Sequence, residues 1–332
     1  MSFFKRIIKW IVKLGLIGLL TLVLFEVCYR YHIVDFYAAE INGLNEKSDL
    51  QESKANVLVF GDSFSATSKA INYIDRLRET YSEKTFLNFS IPGTGVRQLN
   101  TFAKQKIERY KPETIIYQIY AGNDLLDVEK FKVFNNVSLG KYAFWQVSNS
   151  FLSLPYLNHK SSVFKPKVNY RTKTIKIKTF REDYYNKRSK NYLSINPNYL
   201  DETINLSGNF DEKYDLWLEE INAFLSVVPD TTKVCVVWVP HCTQVNAWYL
   251  NNFKSLNANF LNEANYLGRN YSFFNRANND LKHHKNVSQL NLLEAFKKAD
   301  TKSTRVYFAN DPHLNKYGND VLAKELKTSL RF

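Results

Sequence analysis

Cysteine is scarce. Cys28, Cys235 and Cys242 are the only three in 332 residues; they have no C-x-x-C spacing, and a disulfide framework is excluded. A Cys235–Cys242 bridge stays open, but Cys235 lies inside Val234-Cys-Val-Val-Trp-Val239 and reads as a small core residue. RNP, zinc-finger and helix-turn-helix signatures are missing. The formal charge of +13 does not replace them, because Lys5, Arg6, Lys9, Lys13 and the run 160–190 hold the whole excess. With the remainder neutral, a general nucleic-acid surface is excluded. His283 and His284 are adjacent, so on a helix they point apart and make no metal pair; no metal or other cofactor is expected. There is no internal repeat, and a hydrophobic content of 45% excludes disorder.

What is there begins with an apolar stretch. Residues 11–28 are interrupted only by Lys13 and Glu26, near the ends, and are about long enough to cross a bilayer as a helix. Lys13 can snorkel, and Trp10 and Tyr29 suit the interface. The basic residues ahead of the stretch predict a cytoplasmic N-terminus, with everything after Tyr31 outside. That is a single-pass protein of the inner (cytoplasmic) membrane with an extracytoplasmic, periplasmic domain. A cleaved signal peptide competes, since residues 14–25 have h-region length, but no small-x-small site follows and an uncleaved anchor is expected. Residues 1–31 are then a basic stub and anchor, 32–54 a polar, partly helical tether, and 55–332 one domain.

Val57-Leu-Val-Phe60 reads as a buried strand ending in Gly61-Asp62-Ser63. Gly61 allows a turn with positive φ, and helical spacing over 64–77 puts Ser63 at a helix N-terminus. Strands at 85–89 and 114–120, with a helix over 98–110 between them, continue the alternation. It predicts an α/β fold: a three-layer α/β/α sandwich around a mostly parallel sheet. Over 131–213 the rhythm fades, and this stretch reads as an irregular basic insertion beside the site, with a basic ribbon at 170–180. The pattern resumes with a helix over 214–227, a strand at 233–239, helices near 257–267 and 273–282, a weak strand at 287–290 and a last helix ending near 330.

Four elements fall at strand ends or in the terminal block: Gly61-Asp-Ser63, Asn88-Phe-Ser-Ile-Pro-Gly93, Gly122-Asn-Asp124 and Asp311-Pro-His313. Open α/β sheets place their ligands at strand ends. A serine hydroxyl needs a base before it can attack, and a histidine held by a carboxylate is such a base. Each element also has a plainer reading: Asp62 and Ser63 as a helix cap, Gly93 as part of a Pro-Gly turn, Asn123 and Asp124 as cap and turn residues. Among the other histidines, His241 in Val239-Pro-His-Cys242 is the one rival to His313 and is assigned to the substrate pocket.

In this order and spacing the blocks resemble the four signature blocks of the SGNH/GDSL hydrolase superfamily, over residues 57–330 apart from the insertion. The resemblance implies Ser63 as nucleophile, His313 as base and Asp311 as the carboxylate that orients it. It also implies an oxyanion hole from the N–H groups of Ser63 and Gly93 and the Asn123 amide. Asp62, Asp124 and His241 are expected to bind substrate. The acid of the superfamily usually stands three residues before the histidine, where this chain has Asn310. The shorter spacing, followed by Leu-Asn, is similar to envelope polysaccharide O-acetylation proteins. Gly95 is an alternative donor to Gly93. The implied activity is a serine esterase or O-acetyltransferase acting on acyl, chiefly acetyl, esters of an envelope or secreted polysaccharide. Its partners would be the acylated carbohydrate, the membrane through residues 11–28 and, for transfer, a multi-span acyl-donor protein. A lipase or lysophospholipase, and a non-catalytic glycan-binding assembly protein, are the other readings. The basic run 160–190 would clamp an anionic polymer, lie on anionic headgroups or form a solvated lid. Tyr170, Phe180, Tyr184, Tyr185 and Tyr192 would stack on sugar or form a small core.

Overall fold

Val57-Leu-Val-Phe60 offers no polar side chain to either face, and such a strand is stable with both faces covered. In a computed structural model that describes residues 2–67, 72–128, 151, 153, 176–208, 210–261, 263–269 and 271–330, it forms β1 (Val57–Phe60), buried throughout. With it pair β2 (Phe86–Asn88), β3 (Thr114–Tyr120), β4 (Lys233–Val239) and β5 (Val287–Asn291), in the order β2-β1-β3-β4-β5 and all parallel. The helices Val96–Tyr110 and Phe210–Ser226 close one face, where the Phe60 ring lies 6.4 Å from Phe102 and 5.4 Å from Phe224. Register puts Cys235 on the opposite face from Phe60, and there the helices Tyr73–Thr80 and Lys316–Leu330 pack against each other. This is the expected three-layer sandwich. A small antiparallel pair, β6 (Tyr307–Phe308) and β7 (Asp311–Leu314), carries the terminal block beside it.

Several local expectations are corrected. Gly61 does not have a positive φ; it must be glycine because a Cβ there would stand 2.5 Å from Gln118 Oε1 and 3.0 Å from Ser65 Oγ. No single helix covers 64–77. Ala66 N–H closes one turn onto the Asp62 carbonyl at 2.9 Å, residues 68–71 lie outside the described set, and the helix starts at Tyr73, where Asn72 Oδ1 caps the Ile74 N–H. Ser63 therefore sits in a turn. Of the helix expected near 257–267 only Glu263–Tyr266 is helical, and Asn257, at a φ of +68°, follows the end of a separate helix, Ala247–Ser255. Within the insertion, 187–205 is regular: Asn186 caps a helix over Lys187–Ile195, and Tyr199–Asn205 forms another. The ribbon expected at 170–180 lies mostly outside the described residues, and 176–180 forms no strand.

The N-terminal helix is continuous over Ser2–Arg30, and 3–30 is long and apolar enough to cross a membrane. Tyr29, expected at the interface, is instead 1% exposed, and its hydroxyl bonds to that of Tyr37. The stretch 32–54, read as a partly helical tether, is packed down on the domain. It contains the short helices Ala38–Leu44 and Lys47–Gln51, buries Tyr37 and Ile41, and is stitched down by Asn45, whose Oδ1 accepts the Asn88 N–H at 2.7 Å.

Candidate active site

Ser63 follows β1 and His313 lies on β7, 250 residues later, yet Ser63 Oγ and His313 Nε2 are 2.7 Å apart. On the far side of the ring, His313 Nδ1 bonds Asp311 Oδ1. An ionised carboxylate only accepts, so Nδ1 carries the proton and Nε2 offers its lone pair to the Ser63 hydroxyl. The shortened Asp-x-His spacing works because Asp311 Oδ1 also accepts the backbone N–H of His313 at 2.9 Å. The Phe64 ring packs against the imidazole at 4.9 Å. Burial pushes the Asp311 carboxyl up, but the adjacent His313 charge and hydrogen bonds from His313 and Asn186 outweigh it and hold the group down at about 2.

The position of the usual acid, Asn310, is fully buried and turned elsewhere. Its Oδ1 accepts the Arg181 N–H at 2.7 Å and its Nδ2 donates to the Thr179 carbonyl at 2.9 Å. Residue 310 thus fastens the 179–186 segment, while Asp311 serves the imidazole.

Among the described residues, the cavity over Ser63 is walled by Asn123, His241 and His313, and by Arg188, Tyr192 and Tyr199 from the insertion; its volume is ≈ 60 Å³. Asn123 donates one amide N–H to Asp127 Oδ2 at 2.6 Å, which fixes the amide plane and leaves the other N–H for the cavity. Gly93 has a φ of +73° and is buried, outside this wall. The alternative donor Gly95 is spent, because its N–H bonds Gln98 Oε1 at 3.0 Å at the start of the helix Val96–Tyr110.

Asp62 and Asp124 do not line the cavity. Asp62 Oδ1 accepts the Phe64 N–H and Asp124 Oδ2 the Tyr120 N–H, both at 2.9 Å, so each shapes a strand-end turn behind the site. Burial raises both carboxyls, and the charge of Asp62 adds to it at Asp124. Asp127 lies beside them, and the guanidinium of Arg188 approaches it at 3.6 Å.

His241 does reach the cavity. Its Nδ1 accepts the Thr243 N–H at 3.3 Å and meets Thr243 Oγ1 at 2.8 Å, which leaves the Nε2–H as the donor end. Burial lowers its pKa to about 3, so it stays neutral and cannot substitute for His313 as a base near pH 7. The folded chain then refuses a proton that the unfolded chain accepts near 6.5. Stability should fall as the pH drops from 6.5 toward 3, by about 1.4 kcal/mol per unit. Urea titrations at pH 7 and 4.5 should show that slope flattened in His241→Gln; an unchanged slope assigns the acid sensitivity elsewhere.

Asn186, Arg188 and Tyr199 were not singled out by the sequence as site residues. An Asn before Lys-Arg-Ser is a helix-cap signal, but its bond to Asp311 spans 125 residues and leaves no mark in either segment. The aromatics of the insertion divide: Tyr192 faces the cavity, whereas Tyr185 is a core residue against Phe253 at 5.3 Å, and Tyr170 lies outside the described residues.

No family model and no curated protein matches the chain. Similar solved structures include a catalytic mutant of an acetylxylan esterase from Geobacillus stearothermophilus (13% identity, TM-score 0.41, 84% of this chain and 95% of that one). A lipase from a goat rumen metagenome (11%, 0.37, 82% and 96%) and a GDSL-like lipase from Bacteroides thetaiotaomicron (10%, 0.37, 89% and 95%) are others.

Proposed function

We propose that this chain is a membrane-anchored serine esterase or O-acyltransferase that handles acetyl-sized esters of an extracytoplasmic carbohydrate. The observation that carries the reading is the contact from Ser63 Oγ through His313 to Asp311. Ser63 Oγ attacks the acyl carbon as its proton passes to His313 Nε2, and Asp311 offsets the imidazolium charge. The negative charge moved onto the carbonyl oxygen is met by the Ser63 N–H and the Asn123 amide. Collapse breaks the ester bond, and the departing alcohol takes the proton from His313. The acyl-serine is then released by water, which is hydrolysis, or by a sugar hydroxyl, which is transfer; His313 deprotonates either one.

A volume of ≈ 60 Å³ is on the order of four or five water-sized positions, enough for a two-carbon acyl group. Tyr192 and Tyr199 beside it suit a sugar face. Retention of the anchor is favoured by the last turn of the N-terminal helix, where Glu26 Oε2 accepts the Ser153 N–H at 2.8 Å and Phe25 packs on Phe36 at 4.9 Å. Lys5, Arg6, Lys9 and Lys13 favour a cytoplasmic N-terminus, which places the domain outside.

The test is acyl-chain selectivity of the full chain in detergent. p-Nitrophenyl acetate should be cleaved with a kcat/KM at least about tenfold above the octanoate, since a chain that cannot enter the cavity loses its positioning. A preference for octanoate would transfer the site to lipid esters.

A further inference from the structure

The relay does not end at Asp311. Its Oδ1 serves His313, and its Oδ2 accepts an N–H from Asn186 Nδ2 at 2.8 Å. The same side chain turns its Oδ1 onto the N–H groups of Arg188 and Ser189, at 2.9 and 3.2 Å, and so caps the helix Lys187–Ile195. The Asn186 N–H donates to the Asn310 carbonyl at 2.9 Å, immediately before Asp311. One residue therefore joins a helix start, the backbone just ahead of β7 and the carboxylate.

We propose that Asn186 is a positioning residue for the reaction, holding the second oxygen of Asp311 so that the first stays aimed at His313 Nδ1. The proposal rests on the Ser63 relay described above. Held at one oxygen only, a carboxylate swings about its Cβ–Cγ bond; held at both, it keeps its plane. Among the described residues no other side chain bonds Asp311 Oδ2. The groups facing Asp311 are His313 on its own strand, Tyr185 ahead of the capped helix and Cys242 after β4, with Asp62 beyond His313. Burial raises Tyr185 and Cys242 well above their ordinary values, so both are neutral near pH 7 and neither replaces the amide as a charged partner. Because Arg188 and Tyr192 ride on the capped helix and line the cavity, the insertion supplies both a substrate wall and part of the relay.

The test separates the cap from the carboxylate. In Asn186→Ser the hydroxyl still caps the helix but falls short of Asp311, and Asn186→Asp puts a like charge beside it. In the full chain, Asn186→Ser should lower kcat on p-nitrophenyl acetate about tenfold, the factor that one hydrogen bond to a charged group carries, with KM within about twofold. The acid limb of kcat/KM should move to higher pH, and further in Asn186→Asp, because an uncompensated carboxylate holds the imidazolium proton more tightly. The low-field proton resonance of the His313 Nδ1–H should shift and broaden in both variants, a readout that needs no turnover. Wild-type kcat, pH profile and resonance in Asn186→Ser would overturn the proposal, as would a rise in KM alone. Failure of the underlying esterase reading shows separately, as equal rates for wild type and Ser63→Ala.

Discussion

Ser63→Ala should lower kcat on p-nitrophenyl acetate by on the order of 10⁴-fold or more, to the level that bound but unattacked ester reaches from the remaining donors. Ser63 Oγ is the hydroxyl found 2.7 Å from His313 Nε2, and the Ser65 hydroxyl in the same turn is committed to Gln118 Oε1 and Tyr73 at 3.1 and 2.8 Å. Among the described residues, no other hydroxyl bonds the His313 ring. KM should change little, because the cavity wall formed by Tyr192, Tyr199 and His241 is untouched. Single-turnover kinetics and loss of labelling by a fluorophosphonate check the result. Residual labelling of the alanine variant at the same rate would show that another nucleophile is at work.

Asp311→Asn should cost about 10⁴-fold in kcat while leaving the fold in place. The reason is the tautomer. An amide rotated to satisfy Asn186 presents its own N–H to the ring, His313 must then accept at Nδ1, and its proton moves to Nε2. There it faces the Ser63 hydroxyl and can no longer receive a proton from it. Adding Asn310→Asp to this variant should not restore activity, although it returns an acid to the usual place three residues before the histidine. The side chain of residue 310 is turned to Arg181 and Thr179, so a carboxylate there would meet the Thr179 carbonyl instead of the imidazole. Recovery of activity in the double variant would show that the 179–186 segment moves away readily. Circular dichroism and thermal melts of both variants establish that the chain remains folded.

Elements made by local pattern were legible in the sequence. β3 and β4 occupy the expected 114–120 and 233–239, because long apolar and β-branched runs have few other stable places. Ser63 was legible as strand-end chemistry and His313 through the resemblance of the four blocks, and they meet. What escaped depends on contacts between distant segments. The glycine at 61 looked like a φ requirement and proved to be a matter of room for Gln118. Tyr29 looked like an interfacial ring until residues 32–54 folded back over it. Asp62 and Asp124 looked like substrate ligands, and only the structure shows backbone N–H groups claiming them. The helix over Lys187–Ile195 was hidden because Lys187, Arg188 and Lys190 crowd its start, and Tyr192, Leu193 and Ile195 are too few apolar positions to mark a 3.6-residue pattern.

The last turn of the N-terminal helix is bonded to the domain beyond the turn at 31–34. With Tyr29 locked against Tyr37 and Glu26 held by Ser153, the chain resembles a tool fixed to its handle. If the proposed anchor is set in a bilayer, these contacts would fix the height of the cavity over Ser63, and the proposed carbohydrate ester would have to come to it.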